Sequence, residues 1–442
     1  MKNKIRIGCG AGFSGDRIEP AIILAEKGEL DYLVLECLAE RTIALAQKRK
    51  LLDATKGYDP FLEKRITALL PHLVKNNVKL ITNMGAANPT AAAQKIIEIA
   101  QQQNIKIKVA AVTGDDVLAT IQRQASTTKE IENGKLLSEY NIVSANAYIG
   151  AGAIVEALQT DAQIIITGRV ADPSLFLSAM IYEFGWNIND FDLMGKGTVV
   201  GHLLECAGQV TGGYFADGVH KKVEDLDKLG HPFADVFADG SAIISKVEGT
   251  GGVVNLETTK EQLLYEVMNP HAYLTPDVIA DFTTVNVKEI EKNKVQVSGG
   301  SGKEKPGTYK VSIGYKAFYL GEGEISYAGS AAYERAKLAA EILQKRLQQN
   351  FDDLRIDFIG MQSLHAINFN NAAIPYEIRL RIAGKAATAE QAALVGEEVE
   401  ALYTNGPAGG GGARKYVNEV IGIVSTLIDR NSIATQVNIF ES

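Results

Sequence analysis

Short apolar runs, half of them closed by a glycine, an asparagine or a charged residue, recur through the first half of the chain. Residues 5–9, 32–35, 79–82, 107–112, 142–144 and 163–166 have strand length and carry apolar side chains at adjacent positions, so both of their faces are suited to burial. Between them, helical stretches lie over 20–28, 61–76, 90–103, 117–124 and 153–158. Pro20 suits a first helical turn, and Asn88-Pro89-Thr90 and Asp172-Pro173-Ser174 each put a capping side chain before a proline. Buried strands alternating with helices predict, over residues 1–190, a Rossmann-like α/β domain: a doubly wound, mostly parallel sheet covered on both faces.

The texture changes after Asp190. Residues 198–210 read as helix, and 221–327 are short, glycine-rich and β-leaning. Residues 311–315 and 324–327 are expected to pair as antiparallel strands across a Gly321-Glu322-Gly323 turn. Ala332, Ala336, Ala339, Ala340, Leu343 and Leu347 set out one face of a helix over 331–349. Residues 191–350 are thus a mixed α/β region completing the core. Beyond it, strands at 356–359, 377–382 and 435–439, helices at 389–403 and 416–427, and a glycine run at 409–412 predict a small ferredoxin-like α+β domain over 351–442.

With 442 residues, the chain exceeds one ordinary core. A net charge of -8 argues against a nucleic-acid partner, which needs a basic face. No run of about 18 apolar residues is present for a membrane span, and the first residues lead into a strand without an apolar signal region. Cys9, Cys37 and Cys206 are too widely spaced for a disulfide framework or a zinc ribbon. A reducing compartment, the cytoplasm, is expected, and a homo-oligomer is the expected assembly.

Candidate chemistry sits after the strands. Gly10, Gly12 and Gly15 form a G-x-G-x-x-G loop containing Ser14 and followed by Asp16 and Arg17, with Glu36 ending the second strand, where a ribose contact would fall. Asp16 would oppose a phosphate, and Pro20 starts the helix late for a nicotinamide fingerprint. NAD(P) binding, another anion site and a structural tight turn all remain open. Asn83 and Asn88 follow the third strand, Asp115 and Asp116 the fourth, and Arg169 and Asp172 the last of the group. Ligands of doubly wound sheets bind outside the carboxyl ends of the strands, so these loops should line one crevice.

Arg169 offers a fork for a carboxylate or phosphate, the asparagines can orient oxygens, and Asp115 or Asp116 can move a proton. Asn88, Asp115 and Asp172 can equally be helix caps. His202, Glu205 and Cys206 share a helix face, as metal ligands, polar wall groups or structural residues, though no further cysteine lies nearby and no metal is favoured. Thr250, Gly251 and Gly252 belong either to an anion-embracing loop that closes over a site or to a cluster of turns. The motifs of serine hydrolases, zincins and P-loop enzymes are missing.

Several strings are longer than such motifs. Residues 10–17, 83–89, 167–175, 201–206, 248–252 and 262–266 together resemble the acyclic terpene utilisation (AtuA) family, from about residue 5 to 347. The resemblance implies a place in the breakdown of branched terpenoid alcohols and acids of the citronellol and geraniol type, at the acyl-CoA stage. It also implies a ferredoxin-like C-terminal extension, and it assigns no catalytic residues. The resulting expectation is a redox-independent hydratase, lyase or isomerase acting on a branched acyl-CoA or another small anionic metabolite. Asp115, Asp116, His202 and Glu205 are its candidate acid–base groups. An NAD(P)-dependent oxidoreductase and a non-catalytic subunit of an acyl-CoA-processing complex are the alternatives.

Overall fold

The computed structural model describes residues 2–365 and 375–442. The protein is a mixed α/β chain divided into two compact units, Met1–Gly314 with Ile423–Ser442, and Tyr315–Gly422. No helix among the described residues is long and apolar enough to cross a membrane.

The first unit begins with β1 (Lys4–Ala11), β2 (Tyr32–Leu35), β3 (Lys79–Thr82), β4 (Lys108–Thr113), β5 (Ile142–Ala147) and β6 (Ile164–Thr167). It continues with β7 (Pro232–Phe237), β8 (Ala242–Lys246), β9 (Tyr273–Leu274), β10 (Ile279–Asp281), β11 (Asn286–Glu291), β12 (Lys294–Ser298) and β13 (Ser301–Lys303). Four more strands follow: β14 (Thr308–Ala328), β15 (Leu354–Ile359), β16 (Glu377–Ala386) and β17 (Gly411–Asp429); the last is β18 (Gln436–Glu441).

A 10-stranded sheet runs β11-β12-β8-β7-β1-β2-β3-β6-β4-β18. Only its centre, β1-β2-β3-β6-β4, is parallel. The strands β7, β8, β12 and β11 on one side, and β18 on the other, join antiparallel. This corrects the expectation of a mostly parallel sheet. Apolar runs report burial on two faces, whereas the flanking strands come from the glycine-rich middle and the end of the chain.

Alternate residues of the central strands feed two cores. Leu33, Leu80 and Ile164 face α1 (Glu19–Lys27), α3 (Leu62–Lys75) and α4 (Pro89–Gln102), the last two following α2 (Glu40–Leu52). Val34, Ile81 and Ile165 belong to the opposite core, with α6 (Ala151–Leu158), α7 (Asp172–Phe184) and α8 (Phe191–Glu205), which follow α5 (Leu118–Gln124). Helix α9 (Leu256–Leu264) adds Leu263 to that core. Neighbouring strands β3 and β6 therefore send their chains to opposite faces, the arrangement that opens a ligand crevice at the carboxyl ends. Gly85 permits the turns there to close up: a Cβ would lie 2.5 Å from the Thr167 carbonyl oxygen.

In the second unit, β14 pairs antiparallel with β16 through Tyr319–Ala328, and β15 pairs with β16. Helices α10 (Ala332–Leu347) and α11 (Ala389–Asn405) bury Leu343, Val395 and Val399 against Ile325, Tyr327 and Ile382. Three sequence expectations are corrected here. Gly321 and Gly323 do not form a turn, since β14 runs through both, and a Cβ on Gly321 would lie 2.7 Å from the Ala392 carbonyl carbon of α11. Residues 416–427 are strand, not helix, in keeping with the β-branched Val417, Val420, Ile421, Ile423 and Val424. The last strand joins β4 in the large sheet rather than a C-terminal module.

Candidate functional site

Four turns leaving the parallel strands are tied together by side chains. Glu36, just past β2, accepts from the Leu38 amide at 2.9 Å and from Asn83 Nδ2 at 2.8 Å. Asn83, after β3, accepts the Cys37 amide through Oδ1 at 2.7 Å. Arg169, after β6, donates to the Leu38 carbonyl, and its Nη2 lies 3.1 Å from Asp172 Oδ1. Asp115, after β4, accepts the Arg169 amide at 2.9 Å and Asn146 Nδ2 at 2.9 Å. Gly168 makes the approach possible, because a Cβ there would overlap the Asp115 carboxylate.

Arg169 is the centre of charge. It is 2% exposed, its guanidinium lies 4.1 Å from the centroid of the Tyr148 ring, and its Nε has no partner among the described residues. Carboxyls surround it with opposite tendencies. Burial raises the Glu36 pKa well above the carboxylate range, and the charge of Asp172 adds to this against Arg169 and Asn83. Asp172, about a third of whose side chain is exposed, is also raised, by desolvation set against Arg169. Burial works against the charge of Glu40 as well, yet Arg169, the Tyr148 hydroxyl and Lys310 bring it down to about 2. Burial lifts Asp115 to about 6.

A second pair lies on α8. His202 Nδ1 and Glu205 Oε1 are 2.8 Å apart, and neither His202 Nε2 nor Glu205 Oε2 has a partner among the described residues. The imidazole sits beside the rings of Tyr273 and Phe282, at centroid distances of 5.3 and 5.4 Å. Burial lowers His202 to about 4 and raises Glu205, on which Asp172 and Glu266 act in the same direction. A neutral imidazole therefore faces a carboxyl that favours its protonated form. Burial, then Glu205, also raises the Cys206 thiol, so nothing there activates it as a nucleophile. No three His, Cys, Asp or Glu side chains among the described residues gather as a metal ion requires.

The glycine loop binds its own carboxylate. Asp16 Oδ2 accepts the Gly12 amide at 2.8 Å, and Gly12 packs so closely on the end of α8 that a Cβ would lie 2.6 Å from the Cys206 carbonyl carbon. Arg65, fully buried on α3, donates to the Ser14 and Asp16 carbonyls at 3.1 and 2.6 Å, and Arg17 donates to the Asp227 carbonyl. His231 Nδ1 lies 3.2 Å from the Gly10 carbonyl. A pyrophosphate would need the amide that Asp16 holds, and a ribose would need the carboxylate that Asn83 holds.

Other candidates fall into supporting positions. Asn88 caps α4 through the Ala91 amide at 3.3 Å and donates to the Ala54 and Lys56 carbonyls, each at 2.9 Å. Asp116 accepts the Leu118 amide at 3.2 Å and Gln47 Nε2 at 3.1 Å. The Thr250, Gly251 and Gly252 amides donate to the carbonyls of Val247, Lys228 and Glu224, at 3.3, 2.9 and 2.9 Å. Sequence reading missed Glu40, Tyr148, Asn146 and Lys310. Asn146, a polar residue in an otherwise apolar strand end, was a readable signal; Glu40 begins a helix, where an acid is commonplace.

Residues 5–439 match the family described as acyclic terpene utilisation family protein AtuA. The chain belongs to this family. No curated protein and no solved structure matches it significantly. In this AtuA-family protein the strings at 83–89 and 167–175 include the turns after β3 and β6, and 201–206 ends α8.

These carboxyls set a pH dependence for the AtuA-family chain. Asp115, Glu36, Asp172 and Glu205 bind protons more tightly folded than unfolded. Their contribution to stability is full at low pH and is lost as pH rises through the folded values, for Asp115 at about 6. Glu40 acts oppositely, only below the ordinary carboxylate range. Over pH 7.5 to 5.5 the neutral, buried His202 and His231 act in the opposite direction, since they take up protons more readily unfolded. The contribution of Asp115 is therefore read as a difference: the urea midpoint of the parent should gain on that of Asp115→Asn as pH falls from 7.5 to 5.5. A difference that stays constant or shrinks over this interval would contradict the assignment.

Proposed function

We propose that this protein is a cytoplasmic catabolic enzyme of acyclic terpene utilisation. It adds, removes or relocates a proton, without a redox step, on a branched acyl-CoA or another polar carboxylic acid, as a hydratase, lyase or isomerase does. The observation that carries this reading is the buried Arg169, whose Nε has no partner among the described residues, beside Asp172, which retains partial access to solvent. With Nη1 and Nη2 held by Leu38 and Asp172, the Nε–H is the donor left for a carboxylate or a thioester oxygen, and it would stabilise the negative charge that grows there when an α-proton leaves. Asp172, with a raised pKa, sits where a proton can be taken up or returned. Glu36 and Asn83 hold the Arg169 turn through the 36–38 segment, and the His202–Glu205 pair is a reserve of protons.

Membership of the family supports the pathway. The free Cys9, Cys37 and Cys206 agree with a reducing compartment. The reading treats the parallel centre of the large sheet as Rossmann-like and Tyr315–Gly422 as a ferredoxin-like module, supported by helices on both faces of the former and on one face of the latter. The occupied Gly12 amide weakens the nicotinamide alternative.

Proton exchange tests the chemistry before the substrate is known. Incubated in D2O with a panel of branched acyl-CoAs and acids, the protein should place deuterium at the α-carbon of at least one of them. Asp172→Asn should slow that exchange by about 10²–10⁴-fold. A panel with neither exchange nor conversion, or a variant as fast as the parent, would remove Asp172 from this role.

A further inference from the structure

A cavity of about 210 Å³ in the first unit does not include Arg169, Asp172 or Glu36. One wall is apolar, built from the buried Ile149, Ile181 and Met194. Lys305, Tyr309 and Arg430 also line it. Lys305 forms no ion pair or hydrogen bond among the described residues. Among the described residues Arg430 is held by neutral acceptors: the Pro276 carbonyl at 2.8 Å, the Pro306 carbonyl at 3.3 Å and the Tyr309 hydroxyl at 3.0 Å. Its guanidinium also stacks 4.1 Å from the Tyr309 ring centroid. Because that hydroxyl accepts from Arg430, its own proton remains available to a ligand.

Two carboxyls also border the space. Asp277 accepts the Ala151 amide at the start of α6 at 2.9 and 3.1 Å and the Ser174 hydroxyl at 2.5 Å, and the charges of Lys305 and Arg430 act on it from beyond ion-pair distance. Glu156 is exposed at the edge. The inner surface thus offers two cations that form no ion pair among the described residues, though the charge of Asp277 reaches both, together with a hydroxyl donor and an apolar wall.

We propose that this cavity is a second binding site, for a small carboxylate with a short apolar tail. The carboxylate lies among Lys305, Arg430 and the Tyr309 hydroxyl, and the tail lies against Ile149, Ile181 and Met194. Charge-assisted bonds from a cation and a hydroxyl give such a head its orientation, and apolar contact selects for the tail.

Calorimetric titration of the full chain with 3-methylbutanoate tests this, with inorganic phosphate as a second probe. The Arg169→Gln background separates this cavity from the site described above. Saturable binding of 3-methylbutanoate should persist in Arg169→Gln, weaken at least about tenfold on adding Lys305→Glu, and vanish on adding Gly152→Trp. Gly152 lines the cavity and a Cβ there meets nothing within 4 Å, so a tryptophan is admitted at its rim without a backbone clash. If Lys305→Glu fails to fold, Gly152→Trp still decides. Binding lost with Arg169→Gln alone, affinity unchanged by Gly152→Trp, or no saturation at all overturns the proposal, as does binding of phosphate without 3-methylbutanoate. Failure here leaves the Arg169 reading standing, since the two sites share no tested residue.

Discussion

Arg169→Gln is expected to slow the proposed α-proton exchange by about 10²–10³-fold, the usual effect of losing one charge-stabilising donor. Glutamine keeps a donor of shorter reach and removes the cation that opposes the raised pKa values of both Glu36 and Asp172, leaving Lys310 to act on Asp172 alone. Stability should fall too, by roughly 3–5 kcal/mol where neighbouring carboxylates are left charged and buried. That loss depends on pH in a defined direction. At pH 5.5 the carboxyls can take up protons and the penalty shrinks; at pH 8 they cannot do so as readily, and it grows. Urea unfolding of both proteins at the two pH values measures it, and an equal loss at both would show that Arg169 acts by packing alone. Arg169→Lys retains charge without the planar fork, so it should recover stability more fully than exchange.

Gly321→Ala is the second large effect. The substitution adds one methyl group to β14, but that methyl would overlap the Ala392 carbonyl oxygen in the first turn of α11. Backbone cannot rotate aside as a side chain does, so the helix must lift from the sheet. The loss should be about 1–3 kcal/mol or more, concentrated in Tyr315–Gly422. Amide hydrogen exchange would locate it: faster exchange in α11 and β16 is expected, with β1, β2 and β3 unchanged. Uniform acceleration across both units would show instead that the two unfold as one.

The same glycine shows where sequence reading stops. Gly321-Glu322-Gly323 has the composition of a turn, and only a helix seventy residues further along the chain reveals that the glycines make room for contact. Residues 416–427 carry apolar side chains in a run that periodicity alone does not assign. By contrast, the central strands were legible, because burial on both faces needs adjacent apolar residues such as Leu33 and Val34. Asn83, Asp115 and Arg169 were legible for a related reason: polar residues directly after such runs stand at the ends of strands. Tyr148 and Glu40 were not, since their meeting with Arg169 depends on where β5 and α2 travel, and no local pattern records that.

Strand β18 follows the second unit in the chain yet covers the outer edge of β4 in the first. During synthesis, then, the β4 edge emerges from the ribosome long before its partner and offers unpaired amides and carbonyls to any passing strand. A cell making this protein has an interval in which chaperone capture or mispairing competes with completion of the sheet. Slowing translation within residues 315–422 would lengthen that interval and raise the aggregated fraction.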